Sequence, residues 1–393
     1  MNKALLNPAV QNFVEEHLQD DISRLILKGS PFPEITEQEL AVQISGRKKA
    51  KTKLPSWFAN TNVLYPPNLN LEQTSSEITA AYKATIVTGE ILADITGGFG
   101  IDTFYLSKKF QKVFHVEQNK ELSQIAAHNF LQLNAENITT ITGDGLNFLK
   151  NAAERFDFIY IDPSRRNEHG GKVFHLAQCT PDVPENLELF FSKAENILMK
   201  TSPLLDLTAG IRELKNVVEI YIVAVNNDVK ELVWLLKKEP SKKVRLKTIN
   251  IQAQDDQIFE TDFDNEQTGV PLGLPEKYIF EPNAAVMKSG MFKALALKTG
   301  TKKLHQNSHI FTSSKIEIFP GRSFEVVDHC KFNRTLLKKR FKGKKANITT
   351  RNFPFSVENL KKDLKIKDGG NNYLFFSTDL EENKIVLECR KIP

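Results

Sequence analysis

Residues 94 to 102 read Asp94-Ile95-Thr96-Gly97-Gly98-Phe99-Gly100-Ile101-Asp102, a glycine-rich stretch that follows the apolar run Glu90 to Ile95. Where a strand gives way to a helix, glycines let the backbone come close to a ligand, and the helix start offers free amides to a polar group. Gly97, Gly98 and Gly100 are the residues that permit such an approach. Outward from this loop the pattern alternates, with strand-like runs at Val113 to Val116, Ile138 to Thr142 and Phe156 to Ile161 and helical stretches such as Leu122 to Leu133 between them. It continues through a helix at Leu187 to Leu198, strands at Leu204 to Leu207 and Val218 to Val225, a helix at Val229 to Leu236 and a strand at Val244 to Ile251. Seven strands alternating with helices predict an α/β fold built on a parallel, doubly wound, Rossmann-like sheet. The acidic segment Asp255 to Glu266 reads either as a last hairpin strand around Ile258 and Phe259 or as a linker.

Three acids stand where such a sheet places its ligand contacts. Glu117, with Gln118 beside it, closes the second strand twenty residues after Gly97, near the offset at which a carboxylate meets a ribose hydroxyl. Asp144, in Gly143-Asp144-Gly145, follows the third strand, where an acid can accept from an adenine amino group. Asp162 closes the fourth. Each alone reads better as the solvated end of a strand; the three in order behind the glycine loop read as a nucleotide site.

This order of glycine loop, ribose acid, adenine acid and fourth-strand Asp-Pro resembles that of class I S-adenosylmethionine-dependent methyltransferases, over about residues 75 to 260. The loop wording is similar to the Asp-x-Thr-x-Gly-x-Gly loop of several RNA methyltransferases. The resemblance implies a seven-stranded class I methyltransferase domain with S-adenosylmethionine as cofactor. It implies Asp94, Thr96, Gly97, Gly98, Gly100, Glu117, Gln118, Asp144, Gly145 and Asp162 as cofactor-binding residues. The nearest rival within the fold is a nicotinamide-dependent dehydrogenase, for which nothing downstream supplies a hydride-transfer site.

Methyl transfer is an in-line displacement, so the protein's work is to align the acceptor and manage its proton. The resemblance assigns that work to the loop Ile161-Asp162-Pro163-Ser164-Arg165-Arg166. Enzymes that methylate exocyclic amines of bases carry Asn or Asp, then Pro-Pro and an aromatic residue. Here only Asp162 and Pro163 match, and the stacking ring is missing. Asp162 would accept from an amino-group acceptor or contact the methionine end of the cofactor. Arg165 and Arg166 are forked donors, suited to substrate phosphate or to salt bridges that pin the loop. Asp162, Pro163, Ser164, Arg165 and Arg166 are the candidate catalytic residues.

The 393 residues exceed what one core usually organises. Residues 1–60 read as a helical domain, with Val10, Phe13, Val14 and Leu18 at helical spacing ahead of the basic run Arg47 to Lys51, and 61–270 as the methyltransferase domain. Thr74-Ser75-Ser76-Glu77 has the form of a capping box. Beyond Gly273 the character changes, giving small α+β units at 276–321, with a helix at Ala284 to Leu297 and a strand at Ile310 to Phe319, and at 322–393. From Lys331 to Lys367 basic residues crowd against only Glu358 and Asp363, and Phe332, Phe341, Phe353 and Phe355 are interleaved. Such an excess attracts polyanions through counterion release, which makes RNA the expected partner, although most of these phenylalanines suit a core. This end is similar to that of bacterial methyltransferase-like proteins carrying a ferredoxin-like insert and a THUMP-like domain, and the resemblance implies RNA delivery. No apolar run is long enough to cross a bilayer and no export signal is visible. The scattered Cys179, Cys330 and Cys389 lack metal or redox spacing, so no metal and a cytoplasmic setting are expected. A catalytically silent cofactor- and RNA-binding protein, and a methyltransferase of a protein or small molecule, stand as alternatives.

Overall fold

The run ahead of the glycine loop is a strand, β1 (Ile91–Asp94), whose Leu92, Ala93 and Asp94 are buried. The structure is a computed structural model that describes residues 1–165, 175–264 and 268–392. The chain forms two units, Met1–Val218 with Leu232–Lys242, and Glu219–Glu231 with Lys243–Pro393.

In the first unit β1 lies parallel between β2 (Lys112–Glu117) and β4 (Phe156–Ile161), with β3 (Ile138–Thr142) parallel to β2 and β5 (Ala194–Thr201) parallel to β4. The order β3-β2-β1-β4-β5 reverses direction between β1 and β4. That reversal is the topological switch point, where an open α/β sheet leaves a crevice at the carboxyl ends of its strands. Beyond β6 (Val217–Val225) the chain turns back as β7 (Asp228–Lys237), whose residues from Leu232 pair antiparallel with β5. Two expected helices are thereby corrected. The helix of Leu187 to Leu198 ends at Lys193 and gives way to β5, and Val229 to Leu236 lies in β7. Leu204 to Leu207, expected as a strand, forms a turn leading into the helix Leu207–Leu214.

The N-terminal segment is helical. Asn7 caps Pro8–Glu16, which buries Val10 and Val14. Thr36 and Glu39 form a reciprocal capping box at Glu37–Lys53. The box expected at Thr74 to Glu77 is absent: Ser76 caps Glu77–Ala84, and the Glu77 carboxylate accepts from Ser56 N instead. Arg47 of the basic run is buried against Glu15 at 2.5 Å. Trp57 packs on Phe99 of the glycine loop, with ring centres 5.1 Å apart, so the helices brace the loop.

In the second unit β8 (Arg245–Ile251) lies parallel to β6 and antiparallel to β9 (Gln257–Asp262), which settles the acidic segment as a hairpin strand. A seven-stranded sheet follows, built from β10 (Tyr278–Pro282), β11 (Lys302–Lys303), β12 (Phe311–Ser313), β13 (Gly321–Lys331), β14 (Asn347–Arg351), β15 (Asn372–Thr378) and β16 (Lys384–Lys391) in the order β11-β12-β10-β13-β16-β15-β14. Ile385, Leu387 and Cys389 face one apolar cluster while Val386 faces the other, the alternation of a strand covered on both sides. Phe341 is buried and Phe332 and Phe353 pack against the core, whereas Phe355 stays 40% exposed. The helix expected at Ala284 to Leu297 is broken by left-handed Gly290 into Ala284–Ser289 and Phe292–Thr299, and only Phe311–Ser313 of the strand expected at Ile310 to Phe319 is extended in the sheet.

Candidate active site

A cavity of about 370 Å³ opens at the carboxyl ends of β1, β2 and β4. Asp94, Thr96, Gly97, Gly98, Gly100, Glu117, Gln118, Asp144, Gly145, Asp162 and Ser164 line it, as do Asn70, Gln73 and Thr74 from the N-terminal segment. The loop is fixed from within. The Glu117 carboxylate accepts from Gly98 N at 2.8 Å and Asn119 N at 2.7 Å, tying the end of β2 to the glycines. Thr96 N donates to Asp94 Oδ1 at 3.0 Å, and the Thr96 hydroxyl accepts from Asp162 N at 2.7 Å, joining the β1 and β4 loops. Thr103 donates to the second Asp94 oxygen at 2.5 Å. Burial pushes the Asp94 carboxyl up to about 7 in spite of these donors.

The glycines are needed for reasons other than ligand approach alone. A methyl at Gly97 would stand 2.4 Å from Nε2 of His115, and one at Gly100 2.4 Å from Phe130, so both face the core. A methyl at Gly145 would meet the Ile95 carbonyl at 2.2 Å. A methyl at Gly98 would make only ordinary contact, 3.8 Å from the Thr96 carbonyl oxygen, but its φ of +56° is the left-handed conformation that glycine adopts freely. His115 is fully buried, and burial pushes its pKa down to about 4, which leaves a neutral ring under the loop at pH 7.

Behind the cavity lies a charge network that the sequence did not reveal. Lys83, without exposure, places Nζ 3.2 Å from Asp102 Oδ1, while Ser75 and Tyr160 each donate to Asp102 Oδ2 at 2.8 Å. Lys200 reaches both acids, at 3.8 Å from Asp102 and 2.5 Å from Asp162. Burial alone would raise Asp102, but Lys83 and Lys200, with the Tyr160 and Ser75 hydroxyls, hold it below the ordinary carboxylate range. Burial pushes the Asp162 carboxyl up, with Asp102 adding to the rise and Lys200 and Lys83 opposing it, although a third of the side chain stays exposed.

The acids expected at the strand ends therefore meet in one place, each with a local duty as well. Asp144 Oδ1 caps the helix Gly145–Asn151 by accepting from Asn147 N at 2.8 Å. Gln118 is exposed at the rim. In the fourth-strand loop Pro163 is buried, and Ser164 and Arg165 pair through their backbones with Thr180 and Cys179. Arg166 lies outside the described residues. Lys83, Asp102 and Tyr160 were missed, whereas Lys200, in the Lys200-Thr201-Ser202-Pro203 loop at the same sheet edge, was legible as pocket lining but not as a partner of these acids.

Fold and site together define a doubly wound α/β protein of the class I methyltransferase type. Residues 278–320 match a ferredoxin-like domain family and residues 321–391 a THUMP domain-like family. The whole chain is similar to the crystal structure of a candidate methyltransferase from Porphyromonas gingivalis W83, at 31% identity, covering 100% of this chain and 99% of that one with a TM-score of 0.89. The chain belongs to the family of that protein, in which a methyltransferase fold is followed by ferredoxin-like and THUMP-like domains. The structure of M. capricolum TrmK with S-adenosyl-homocysteine is similar over 41% of this chain and 68% of that one (15% identity, TM-score 0.33). Streptococcus mutans SMU.1697c with the same ligand is similar over 42% and 97% (15% identity, TM-score 0.32), and likeness of this size bears on neither activity nor ligand. No curated protein matches the chain.

The lining suits the cofactor such a fold implies. S-adenosylmethionine carries one carboxylate but is cationic overall, and the sulfonium, ammonium, ribose hydroxyls and adenine amine it presents would find acceptors in Glu117, Asp144 and Asp162. A pyrophosphate would face the same carboxylates and be repelled.

Proposed function

We propose that this protein is an S-adenosylmethionine-dependent methyltransferase acting on RNA. The observation that carries the reading is the acid-lined cavity at the switch point, which favours a cationic cofactor over an anionic dinucleotide. When bound, S-adenosylmethionine supplies a methyl on a positively charged sulfur. Each oxygen of Glu117 has one backbone partner and keeps a lone pair for a ribose hydroxyl. Asp144 spends Oδ1 on its helix, and Oδ2, with no partner among the described residues, is left for an amino group. Asp162 is placed to accept a proton from an amine or hydroxyl of the acceptor, with Lys200 balancing its charge. The RNA reading draws on the THUMP-like domain and on a basic cleft between the helices Arg334–Phe341 and Val357–Leu364, lined by Arg334, Lys338, Lys339, Lys342 and Lys362.

One observation favours a second reading, a silent cofactor- and RNA-binding protein: the Asp162 carboxylate is already engaged by Lys200. Incubation of the protein with methyl-labelled S-adenosylmethionine and total RNA from a deletion strain decides between them. Label in RNA is the expected result. Label only in protein or small molecules, or no label despite intact cofactor binding, overturns it. Titration showing affinity for NAD and none for S-adenosylmethionine would overturn the cofactor as well.

A further inference from the structure

We propose that a second pocket, in the C-terminal unit, binds a nucleotide, with the phosphate on Arg322, Arg351 and Lys391 and the base against Gln252 and Gln254. This deepens the RNA reading and rests on it for the source of the nucleotide. The pocket encloses about 870 Å³, within the range of ligand sites, roughly 300–1,000 Å³. It forms because the sheet curls. Glu281 on β10 and Arg351 on β14 are four strand positions apart, about 19 Å in a flat sheet, yet Arg351 Nη2 donates to Glu281 Oε1 at 3.0 Å.

Glu281 is only 5% exposed and holds both guanidinium groups, Arg322 through Nε and Nη2 and Arg351 through Nη2. A guanidinium carries five donors, so most of each fork remains open, and the two side chains keep 43% and 37% of their exposure. Arg351 Nε is buried without a hydrogen-bond partner among the described residues. Lys391 makes no ion pair there either. One buried carboxylate against three cations leaves a net positive, pre-oriented anion site, whereas a purely structural pair would need no second arginine and no lysine at its rim.

The rest of the lining is not that of a simple anion cup. Its floor is a locked set of amides: Asn227 Oδ1 accepts from Ala284 N and Asn250 Oδ1 from Asn227 N, both at 2.7 Å, and Gln257 bridges Asn283 and the Gly321 carbonyl. Above it the Gln252 and Gln254 side chains are exposed, with no partner among the described residues. Free amides present donor and acceptor together, the pattern that base edges match. Phe319, Ile348 and Ile392 supply an apolar wall for a base. An acidic peptide would use the cations and leave the amides and this wall unexplained.

The test uses the full chain, a short fluorescein-labelled single-stranded RNA, and AMP and UMP as free nucleotides. The variants are Lys391→Gln, which changes only the rim, and Arg351→Lys, which keeps the charge but loses the fork; thermal melts verify that both fold. Each variant is expected to weaken RNA binding at least threefold, and Lys391→Gln to lower the slope of log K against log salt by about 0.7. Unlabelled AMP or UMP should compete. RNA binding by the variants equal to wild type overturns the pocket and leaves the RNA reading intact. Mononucleotide binding that the variants lose, with no RNA binding, keeps the pocket and overturns the RNA reading. Binding of neither overturns both.

Discussion

Replacing Lys83 by Met tests the charge network behind the site. The side chain is fully buried, its Nζ 3.2 Å from Asp102 Oδ1 and 3.1 Å from Ser75 Oγ, and methionine fills similar volume without the charge. Removing one member of a buried pair costs about 3–5 kcal/mol, because the other charge is left in a low-dielectric site. The Tyr160 and Ser75 hydroxyls remain, and Lys200 stands 3.8 Å away, which argues for the lower end, about 3 kcal/mol. For a unit of this size that is a fall in Tm of about 6–12 °C. Urea unfolding followed by tryptophan fluorescence is the assay, since the two tryptophans, Trp57 and Trp234, are both buried and both in the first unit. The pH dependence gives a second check. Asp102 is held below its ordinary value, so it contributes stability that is present above the unfolded carboxylate range and lost as pH falls through its folded pKa. The gap between wild type and variant should therefore narrow toward strongly acidic pH. Adding Asp102→Asn should restore much of the loss, because neither charge is then buried alone. A loss below about 1 kcal/mol, or a double variant weaker than the single one, would refute the reasoning.

Three other substitutions probe the cavity itself. Gly97→Ala should cost about 1–3 kcal/mol, since the added carbon meets the buried His115 ring; urea unfolding that matches wild type would count against that packing. Glu117→Gln should weaken S-adenosylmethionine binding about ten- to hundredfold in a calorimetric titration, the worth of charge-assisted hydrogen bonds to the ribose, and an unchanged Kd would remove Glu117 from the site. Asp94, raised from 3.8 to about 7, keeps its proton in the fold where the unfolded chain releases it, so stability falls as pH rises across that window, by roughly 4 kcal/mol at most. Unfolding free energies at about pH 5 and pH 7.5 should drop more for wild type than for Asp94→Asn; equal drops would show that Asp94 is ionised in the fold.

The glycine loop and the acids after β2, β3 and β4 were legible because each sits at a strand end, where one residue's position along the chain fixes its place in the crevice. The strand β7 was not. Glu231 through Leu236 are all buried, so both faces of the strand carry apolar residues, and Val229, Leu232, Val233 and Leu236 happen to fall at helical spacing. Ala194–Thr201 failed for a related reason, since the strand starts where the helix ends and Leu187, Phe190, Phe191, Ala194, Ile197 and Leu198 keep helical spacing across the boundary. The network around Asp102 was invisible because its members come from distant elements. Tyr160 lies 58 positions from Asp102, and Lys200 lies 125 from Ser75. Nothing local marks such residues; only the fold brings them together.

The division of the chain has a consequence for synthesis. The first unit receives its last segment, Leu232–Lys242, only after Glu219–Glu231 of the second has been made, so the polypeptide passes between the units three times. A nascent chain or proteolytic fragment ending near residue 242 carries Ile220, Ile222, Val223 and Ala224, buried in the finished protein, on a strand whose partner β8 does not yet exist. That is an open apolar edge, the kind that recruits other chains. No single cut yields two clean halves, and premature termination in the stretch before Arg245 should produce inclusion bodies rather than a soluble N-terminal fragment.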